Sequence, residues 1–133
     1  PIIWYKTFLN FKNMTQLYKT TVVVTFQVEG AHCWEDAKKY FPEVGFLSDR
    51  HRHMFHFKVY MPVNHDDRDI EFIIFRRKVI KYLHDLYYIE DTKMYEFGHM
   101  SCEMIAKEIL NEFNASKVEV WEDNENGAII EKI

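Results

Sequence analysis

Two segments of the chain place apolar side chains at every second position, the pattern of a strand with one buried face. They are residues 17–29 and 51–62. The inward faces would carry Val22, Val24, Phe26 and Val28 in the first segment and His51, His53, Phe55, Phe57, Val59 and Met61 in the second. Both segments are predicted to be strands, and the second presents two histidines on the side that faces the core.

Two later segments repeat apolar residues at intervals of three or four, as one face of a helix does. Residues 70–88 and 101–113 show this spacing, and Ser101 stands where an N-cap residue belongs. Residues 34–50, between the two strands, are predicted to be a long connection with one helical turn at 35–40. Connections of this length in a compact domain usually carry function.

The end of the chain returns to strand patterns. Residues 117–123 alternate, Asn126-Gly127 is typical of a tight hairpin turn, and residues 128–133 would form the last strand. The predicted order is therefore β-β-α-α-β-β. The predicted fold class is α+β, with a four-stranded antiparallel sheet and two helices on one face.

The composition indicates one folded domain. The chain has 133 residues, of which 47% are hydrophobic and 17% aromatic, and this is enough for a core. Residues 1–13 are treated as an N-terminal extension with no assigned role, and residues 14–133 as a single domain. Cys33 and Cys102 do not make a disulfide framework.

Charge and hydropathy exclude several classes of partner. The formal charge is −4, so no basic nucleic-acid surface is expected. No apolar run reaches the roughly 20 residues that span a membrane, and no secretory signal is evident. We therefore expect a cytoplasmic protein that binds neither nucleic acid nor membrane.

Three histidines have the arrangement of a metal site. His51 and His53 are two residues apart on a predicted strand, so both imidazoles project from the same face. His32 follows the preceding strand and would lie beside them if the two strands pair antiparallel. Three imidazoles with an open position are typical of catalytic zinc. Ligand softness fits zinc, while iron, nickel and manganese are also compatible.

Two other interpretations of the histidines are open. Histidines with ordinary hydrogen bonds on the surface or in the core are the plainer one, and His56, on the opposite face, is read as structural. A cupin also carries His-x-His on a strand, but it would add a glutamate a few residues later and flanking glycines. Residues 54–60 contain neither a glutamate nor a glycine, which disfavours the cupin.

Glu122 is a carboxylate on an apolar face. It follows Val118 and Val120 on what should be the core side of the strand. A buried carboxylate is costly unless it is paired, so it needs a protein partner or a ligand. Its two oxygens could accept the adjacent N–H groups of a pterin or guanine edge. The pattern fits equally well a strand-end glutamate that reaches solvent.

Four short motifs, taken in order, resemble a known superfamily. They are Gly30-Ala31-His32, His51-Arg52-His53, Ser101-Cys102-Glu103 and Trp121-Glu122-Asp123. They resemble Ala-Ala-His, His-Gly-His, Pro-Thr-Ser-Glu and Lys-Glu-Thr of the 6-pyruvoyl-tetrahydropterin and 6-carboxytetrahydropterin synthases, which share the β-β-α-α-β-β frame known as the tunnelling fold. The resemblance covers about residues 17–133.

The resemblance implies a set of roles. His32, His51 and His53 would be the zinc ligands, Glu122 would anchor a pterin, and the pair Ser101 and Cys102 would line its pocket. The substrate implied is 7,8-dihydroneopterin triphosphate, from which such a carbon–oxygen lyase eliminates triphosphate. The product would feed a 7-deazaguanine (queuosine) or a biopterin-like route. The implied assembly is a homo-hexamer of two trimers, with active sites between subunits.

The chain departs from this family at the groups that move protons. The family's cysteine, four to six residues before His-x-His, is replaced by Gly45, Phe46 and Leu47, and its Leu-Asp-His appears here in swapped order at 83–85. Candidate substitutes for these catalytic groups are Glu43, Asp49, His84 and Asp85. Arg52 stands where the family has glycine, a bulky cation between two ligands.

Three functions follow from these patterns. The first is a zinc-dependent pterin lyase of the type described. The second is a divergent member that acts on, or binds, a different pterin-like or guanine-like ligand. The third is a non-enzymatic binding module that keeps the metal for stability alone.

Overall fold

The computed structural model describes residues 17–133. The predicted extension, residues 1–13, lies outside the described residues. The elements in chain order are β1 (Thr20–His32), α1 (Ala37–Tyr40), a 3-10 segment (Pro42–Ser48), β2 (His51–Val63), α2 (Phe72–Tyr87), β3 (Tyr88–Ile89), β4 (Met94–Gly98), α3 (Cys102–Phe113), β5 (Lys117–Glu122) and β6 (Asn126–Glu131). No helix within residues 17–133 has the length and apolar character needed to span a bilayer.

The sheet has six strands in the order β3-β4-β1-β2-β5-β6, and it is mixed. The prediction of four antiparallel strands is therefore wrong in strand number and in pairing, although the four predicted strands are present. The two extra strands are short, and β4 pairs parallel to the end of β1, with Gly30 opposite Tyr95. Tyr95 and Phe97 of β4 are buried, so an alternating signal existed there, over only five residues.

β1 and β2 form the longest ladder of the sheet. They pair antiparallel over 13 residues, from Thr20 opposite Val63 to His32 opposite His51. Phe26 and Phe57 stack across this ladder with ring centroids 4.7 Å apart. The ladder brings the C-terminal end of β1 to the N-terminal end of β2, where the histidines lie.

The core lies between one face of the sheet and the two long helices. The helical side chains at its centre are less than 1% exposed: Val79 and Leu83 from α2, and Ile105, Ala106 and Ile109 from α3. Burying one Val, Leu or Ile side chain stabilises the fold by about 1.5–3 kcal/mol. The predicted placement of two helices on one face of a sheet is correct.

The start of α3 follows the prediction. The Ser101 hydroxyl accepts a hydrogen bond from the Met104 backbone N–H at 3.2 Å, as an N-cap does. Asn114 ends the helix in the left-handed region, with φ of 54°. These two caps fix where α3 begins and ends, and therefore where Cys102, its first residue, lies.

The β5–β6 hairpin turns earlier than predicted. Asp123 and Asn124 adopt left-handed φ values of 54° and 57°, and Asn126 pairs with Glu122 inside the ladder. The prediction of a turn at Asn126-Gly127 is thus wrong. Gly127 has another reason to be glycine, because a Cβ there would lie 2.4 Å from the Val120 carbonyl oxygen.

The face of the sheet away from the helices carries a buried carboxylate. Glu119 is 7% exposed and accepts hydrogen bonds from the Tyr60 hydroxyl and, at 2.9 Å, from Trp121 Nε1. Burial raises the pKa of Glu119, but these donors outweigh burial and leave it lowered. The bond to Glu119 raises the pKa of Tyr60 to about 12.

Candidate metal centre and pocket

Three imidazoles converge at the end of the β1–β2 ladder. His32 lies directly opposite His51, and His53 projects from the same face two residues later. The ring centroids are 4.6 Å apart for His32 and His51, 5.3 Å for His32 and His53, and 5.0 Å for His51 and His53. One ring nitrogen from each residue lies within 4.8 Å of the others. The predicted convergence is observed.

Each imidazole is held through its Nδ1 atom by an acceptor 2.8 Å away. The acceptors are the Met100 carbonyl for His32, the Asp49 carbonyl for His51 and the Asp123 Oδ2 atom for His53. Carbonyl and carboxylate oxygens only accept, so each Nδ1 carries the proton. The three Nε2 atoms then keep their lone pairs, as metal-binding histidines do.

Glu122 approaches the same nitrogens. Its Oε2 atom lies 2.9 Å from His32 Nε2, and its Oε1 atom lies 3.5 Å from His53 Nε2. Two acceptors at 2.9 Å repel unless a cation lies between them, either a proton on the ring or a metal ion. Burial lowers the pKa of His32, but Glu122 and the Met100 carbonyl outweigh burial and raise it. This end of the sheet therefore favours a positive charge, carried by a ring or by a bound ion.

The donor set fits a metal ion. Among the described residues, His53 Nε2 is buried without a hydrogen-bond partner. Such an orphaned group costs about 1–3 kcal/mol unless it is satisfied. An ion held by the Nε2 atoms of His32, His51 and His53 would satisfy all three rings. Three imidazoles with one open position match the ligand preference of zinc.

A cavity of about 480 Å³ opens beside the imidazoles. This volume is within the range of small-molecule sites. Its walls include the predicted substrate-binding residues Glu122, Ser101 and Cys102, together with His32, His51 and Trp34. The structure therefore brings the predicted metal and substrate residues to a single place.

Cys102 faces Glu122 in this cavity. Its Sγ atom donates to Glu122 Oε2 at 3.6 Å. Burial, and then the charge of Glu122, raise the pKa of Cys102 to about 12. At neutral pH the thiol is therefore protonated and acts as a weak donor. Burial also opposes ionisation of Glu122, but His32 and the charge of His53 outweigh it and leave the Glu122 pKa lowered.

Arg52 does not face the metal ligands. Its side chain leaves the opposite side of β2 and forms an ion pair with Glu29 at 3.1 Å. Strand alternation explains this, since residues 51 and 53 share one face and residue 52 the other. An arginine between the two histidines thus leaves the imidazole cluster undisturbed.

The predicted acid–base residues lie outside the walls of the cavity. Glu43 is exposed at the start of the 3-10 segment, and Asp49 contributes its carbonyl to His51. His84 stacks on Tyr88 at 4.4 Å between ring centroids, and Asp85 pairs with Lys81 at 2.6 Å. None of these four side chains is part of the cavity wall, and Asp49 contacts His51 through its backbone carbonyl.

Several residues of the site had no predicted role. Asp123 orients His53 and also accepts from the Met54 backbone N–H at 2.9 Å. Trp34 lies in the cavity wall because its backbone N–H donates to the Leu47 carbonyl at 2.8 Å, which holds together the two ends of the loop between β1 and β2. The position of Asp123 beside Glu122 was the only sequence signal for it, and Trp34 had none beyond the length of its loop.

The fold is similar to that of a solved pterin synthase. The structure of Caenorhabditis elegans 6-pyruvoyl tetrahydropterin synthase aligns with a TM-score of 0.62 at 14% sequence identity. The alignment covers 87% of this chain and 97% of that chain. The predicted resemblance is thereby confirmed at the level of the fold. No protein-family model and no curated protein sequence matches this chain.

Proposed function

We propose that this chain, with the fold of a pterin synthase, is a zinc-dependent lyase acting on 7,8-dihydroneopterin triphosphate. The observation that carries the proposal is the cluster of three imidazoles with fixed Nδ1 protons at the wall of a ligand-sized cavity. His32, His51 and His53 would hold the metal. When bound, zinc supplies a Lewis acid that polarises an oxygen ligand and lowers its pKa.

Glu122 is the proposed anchor of the pterin ring. It is a lowered-pKa carboxylate in the cavity wall, so it is ionised at neutral pH and can accept two parallel N–H donors. Cys102 is a neutral neighbour that can give up its weak bond to Glu122 when a better donor arrives. The indole of Trp34 offers a flat wall for an aromatic ligand.

A second candidate is a divergent protein that binds or transforms another pterin-like or guanine-like ligand. It is favoured by the placement of Glu43 and Asp49, whose carboxylates are not among the cavity walls. General-base catalysis typically contributes about 10²–10⁴-fold to a rate. A site that lacks its base would keep the ligand specificity of Glu122 while losing the usual turnover.

We also propose that the chain assembles into trimers and then hexamers. β3 and β6 are the outer strands of the described sheet, and Ile129 on β6 is 48% exposed. Pairing of edge strands between copies would cover both edges. Light scattering on the purified protein measures the assembly, and a monomer at micromolar concentration would contradict it.

The test of the lyase uses the zinc-loaded protein and dihydroneopterin triphosphate, with products followed by mass spectrometry. We expect release of triphosphate by the wild type and its loss in Glu122→Gln. Glu125→Gln, an exposed carboxylate of the neighbouring turn, is the matched control and should behave as the wild type. Intact substrate in the presence of bound zinc would exclude this activity.

The second candidate is tested by thermal unfolding with pterins, guanine nucleotides and deazaguanines. A ligand at 100 times its Kd stabilises the protein by about 2.7 kcal/mol, which a melting curve resolves. We expect stabilisation by at least one ligand, reduced in Glu122→Gln. If none of these compounds shifts the melting temperature, the pterin or guanine class is excluded.

A further inference from the structure

A second cluster of potential metal ligands lies at the mouth of the same cavity. Cys33, Glu35 and His99 each offer one ligand atom, and these atoms lie within 4.8 Å of one another. The Cys33 Sγ atom is 4.0 Å from His99 Nδ1, and Glu35 Oε1 is 3.4 Å from the same nitrogen. None of the three residues contributes to the imidazole cluster.

These contacts do not form a hydrogen-bonded triad. A triad would use both ring nitrogens, one toward the sulfur and one toward the carboxylate. Here both partners approach Nδ1, which can carry one proton at most. The distance of 3.4 Å from His99 Nδ1 to Glu35 Oε1 also exceeds the donor–acceptor distance of about 2.7–3.2 Å in an N–H···O hydrogen bond. The three atoms surround a common point.

The spacing of the atoms fits a tetrahedral ion. Zinc takes sulfur at about 2.3 Å and nitrogen or oxygen at about 2.0–2.2 Å. Tetrahedral angles then separate nitrogen from oxygen by about 3.4 Å and sulfur from nitrogen by about 3.5 Å. The observed nitrogen–oxygen separation is 3.4 Å and the sulfur–nitrogen separation is 4.0 Å, so the sulfur must approach the nitrogen by a few tenths of an ångström.

Backbone hydrogen bonds hold the two ligand-bearing segments together. The Cys33 N–H donates to the Gly98 carbonyl at 2.9 Å, beside His99. Gly98 adopts φ of 62°, a left-handed conformation that glycine tolerates and that turns the chain into His99. Glu35 follows Trp34, whose N–H is bonded to Leu47. The ligands are thus brought near one another by the fold itself, which lowers the entropic cost of binding an ion.

We infer that Cys33, Glu35 and His99 form a second metal site that takes a divalent ion of borderline softness such as zinc. The side chains of Glu35 and His99 are 69% and 73% exposed, so the ion exchanges with solvent and binds more weakly than at the imidazoles. Cys33 and His99 line the cavity, so a bound ion would be accessible to a ligand there. The inference stands apart from the proposed function, because it needs no pterin.

The test is a titration of the metal-stripped full chain with Co²⁺, read by absorption. Thiolate ligands give cobalt an intense near-ultraviolet charge-transfer band that imidazole and carboxylate ligands do not give. We expect the first equivalent to fill the three-histidine centre without this band. The second equivalent should produce it, for a total of about two ions per chain.

Two variants of the new site and one control make the test specific. Cys33→Ser and His99→Ala should each lower the stoichiometry to about one, and Cys33→Ser should abolish the band. Cys102→Ser should keep both, since its thiol is bonded to Glu122 and is not one of the three ligand atoms. Thermal melting of the metal-stripped forms checks that each variant is folded. If one of them is not, Glu35→Gln, on the exposed loop, takes its place in the same titration.

Three outcomes would overturn the inference. They are a single equivalent in the wild type that gives no charge-transfer band, a band that survives Cys33→Ser, and a band that is lost in Cys102→Ser instead. A fourth result, one ion bound only at Cys33 and none at the histidines, would support the second site and contradict the proposed zinc centre. The two failures are therefore distinguishable.

Discussion

Glu119 and Glu122 lie three residues apart on β5, on opposite faces of the sheet, and they are held in different ways. Glu119 accepts from a hydroxyl and an indole N–H, both of which are fixed donors. Glu122 faces the Nε2 atoms of His32 and His53, which have no proton to donate when the rings are neutral and carry their proton on Nδ1. One carboxylate is satisfied by the protein, and the other needs a cation or a ligand.

The difference separates a carboxylate whose hydrogen-bonding partners are complete from one whose partners are not, without any appeal to sequence. Both pKa values are lowered in spite of burial, so the pKa direction alone does not tell the two apart. The partners do. A group whose partners are complete stabilises the fold, whereas a group that faces acceptors stores unfavourable energy until something binds.

The largest effect is expected from removing one imidazole. His53→Ala deletes one of the three proposed nitrogen ligands and one of the two imidazoles that face Glu122. Affinity for Zn²⁺ at this centre should fall by more than about 100-fold. This exceeds the loss of about 10–100-fold that follows when a residue outside the ligand shell is changed. Isothermal titration of the metal-stripped protein measures it. The His56→Ala variant, on the other face of β2, should bind as the wild type does.

The next effect is expected at Glu119. Glu119→Ala leaves Tyr60 and Trp121 without their acceptor in a buried place. We expect a loss of about 1–3 kcal/mol in the free energy of unfolding, with zinc affinity unchanged. Urea denaturation measures the first quantity. A destabilisation below the experimental error would mean that Glu119 is not the structural member of the pair.

Glu119 should also make stability depend on pH. Its folded pKa lies below the unfolded value of 4.5, so its stabilisation is complete above pH 4.5 and is lost as the pH falls through the folded pKa. The stability difference between the wild type and Glu119→Gln should therefore shrink below pH 4.5. A constant difference across that window would argue against a charged Glu119. Denaturant titrations at several pH values supply the data.

A smaller effect is expected from the residue that orients His53. Asp123→Asn keeps an acceptor near His53 Nδ1 but removes its charge. Zinc affinity should fall by about 10-fold, the lower end for an outer-shell carboxylate. The Glu125→Gln variant in the same turn is the control. Equal affinities in the two variants would show that Asp123 only shapes the turn.

The smallest effect concerns Cys102. With a pKa of about 12, its thiol should react slowly with iodoacetamide at pH 8 in a Cys33→Ser background. Glu122→Gln removes a negative neighbour and should lower that pKa, so alkylation should become faster. Alkylation rates measured between about pH 7 and 10 test this. Unchanged rates in Glu122→Gln would show that Glu122 does not affect the reactivity of Cys102.

The elements that local pattern determines were predictable from the sequence. Alternation placed His51 and His53 on one face, and the antiparallel pairing of β1 with β2 placed His32 opposite His51. Ser101 marked the start of α3. Each of these features depends on residues close in sequence, or on one pairing of two long strands.

What escaped prediction depends on contacts between distant residues. β4 pairs parallel with the end of β1 through an irregularity between Ala31 and His32, which no local pattern marks. The contact between His53 and Asp123 spans 70 residues, and that between Cys33 and His99 spans 66. The hairpin was misplaced because Asn126-Gly127 is a strong turn signal. Packing against Val120 requires Gly127 in the ladder instead.

The unbroken pairing of β1 with β2 constrains how this protein can diverge. Inserting or deleting one residue within a strand would reverse the faces on one side of the change, so that His32 of β1, or His51 and His53 of β2, would point away from the other imidazoles. The segment between the strands, residues 33–50, carries no such constraint on its length. Ligand preference is thus free to evolve by loop exchange around a fixed cluster of imidazoles, and length variation among relatives should concentrate in this segment.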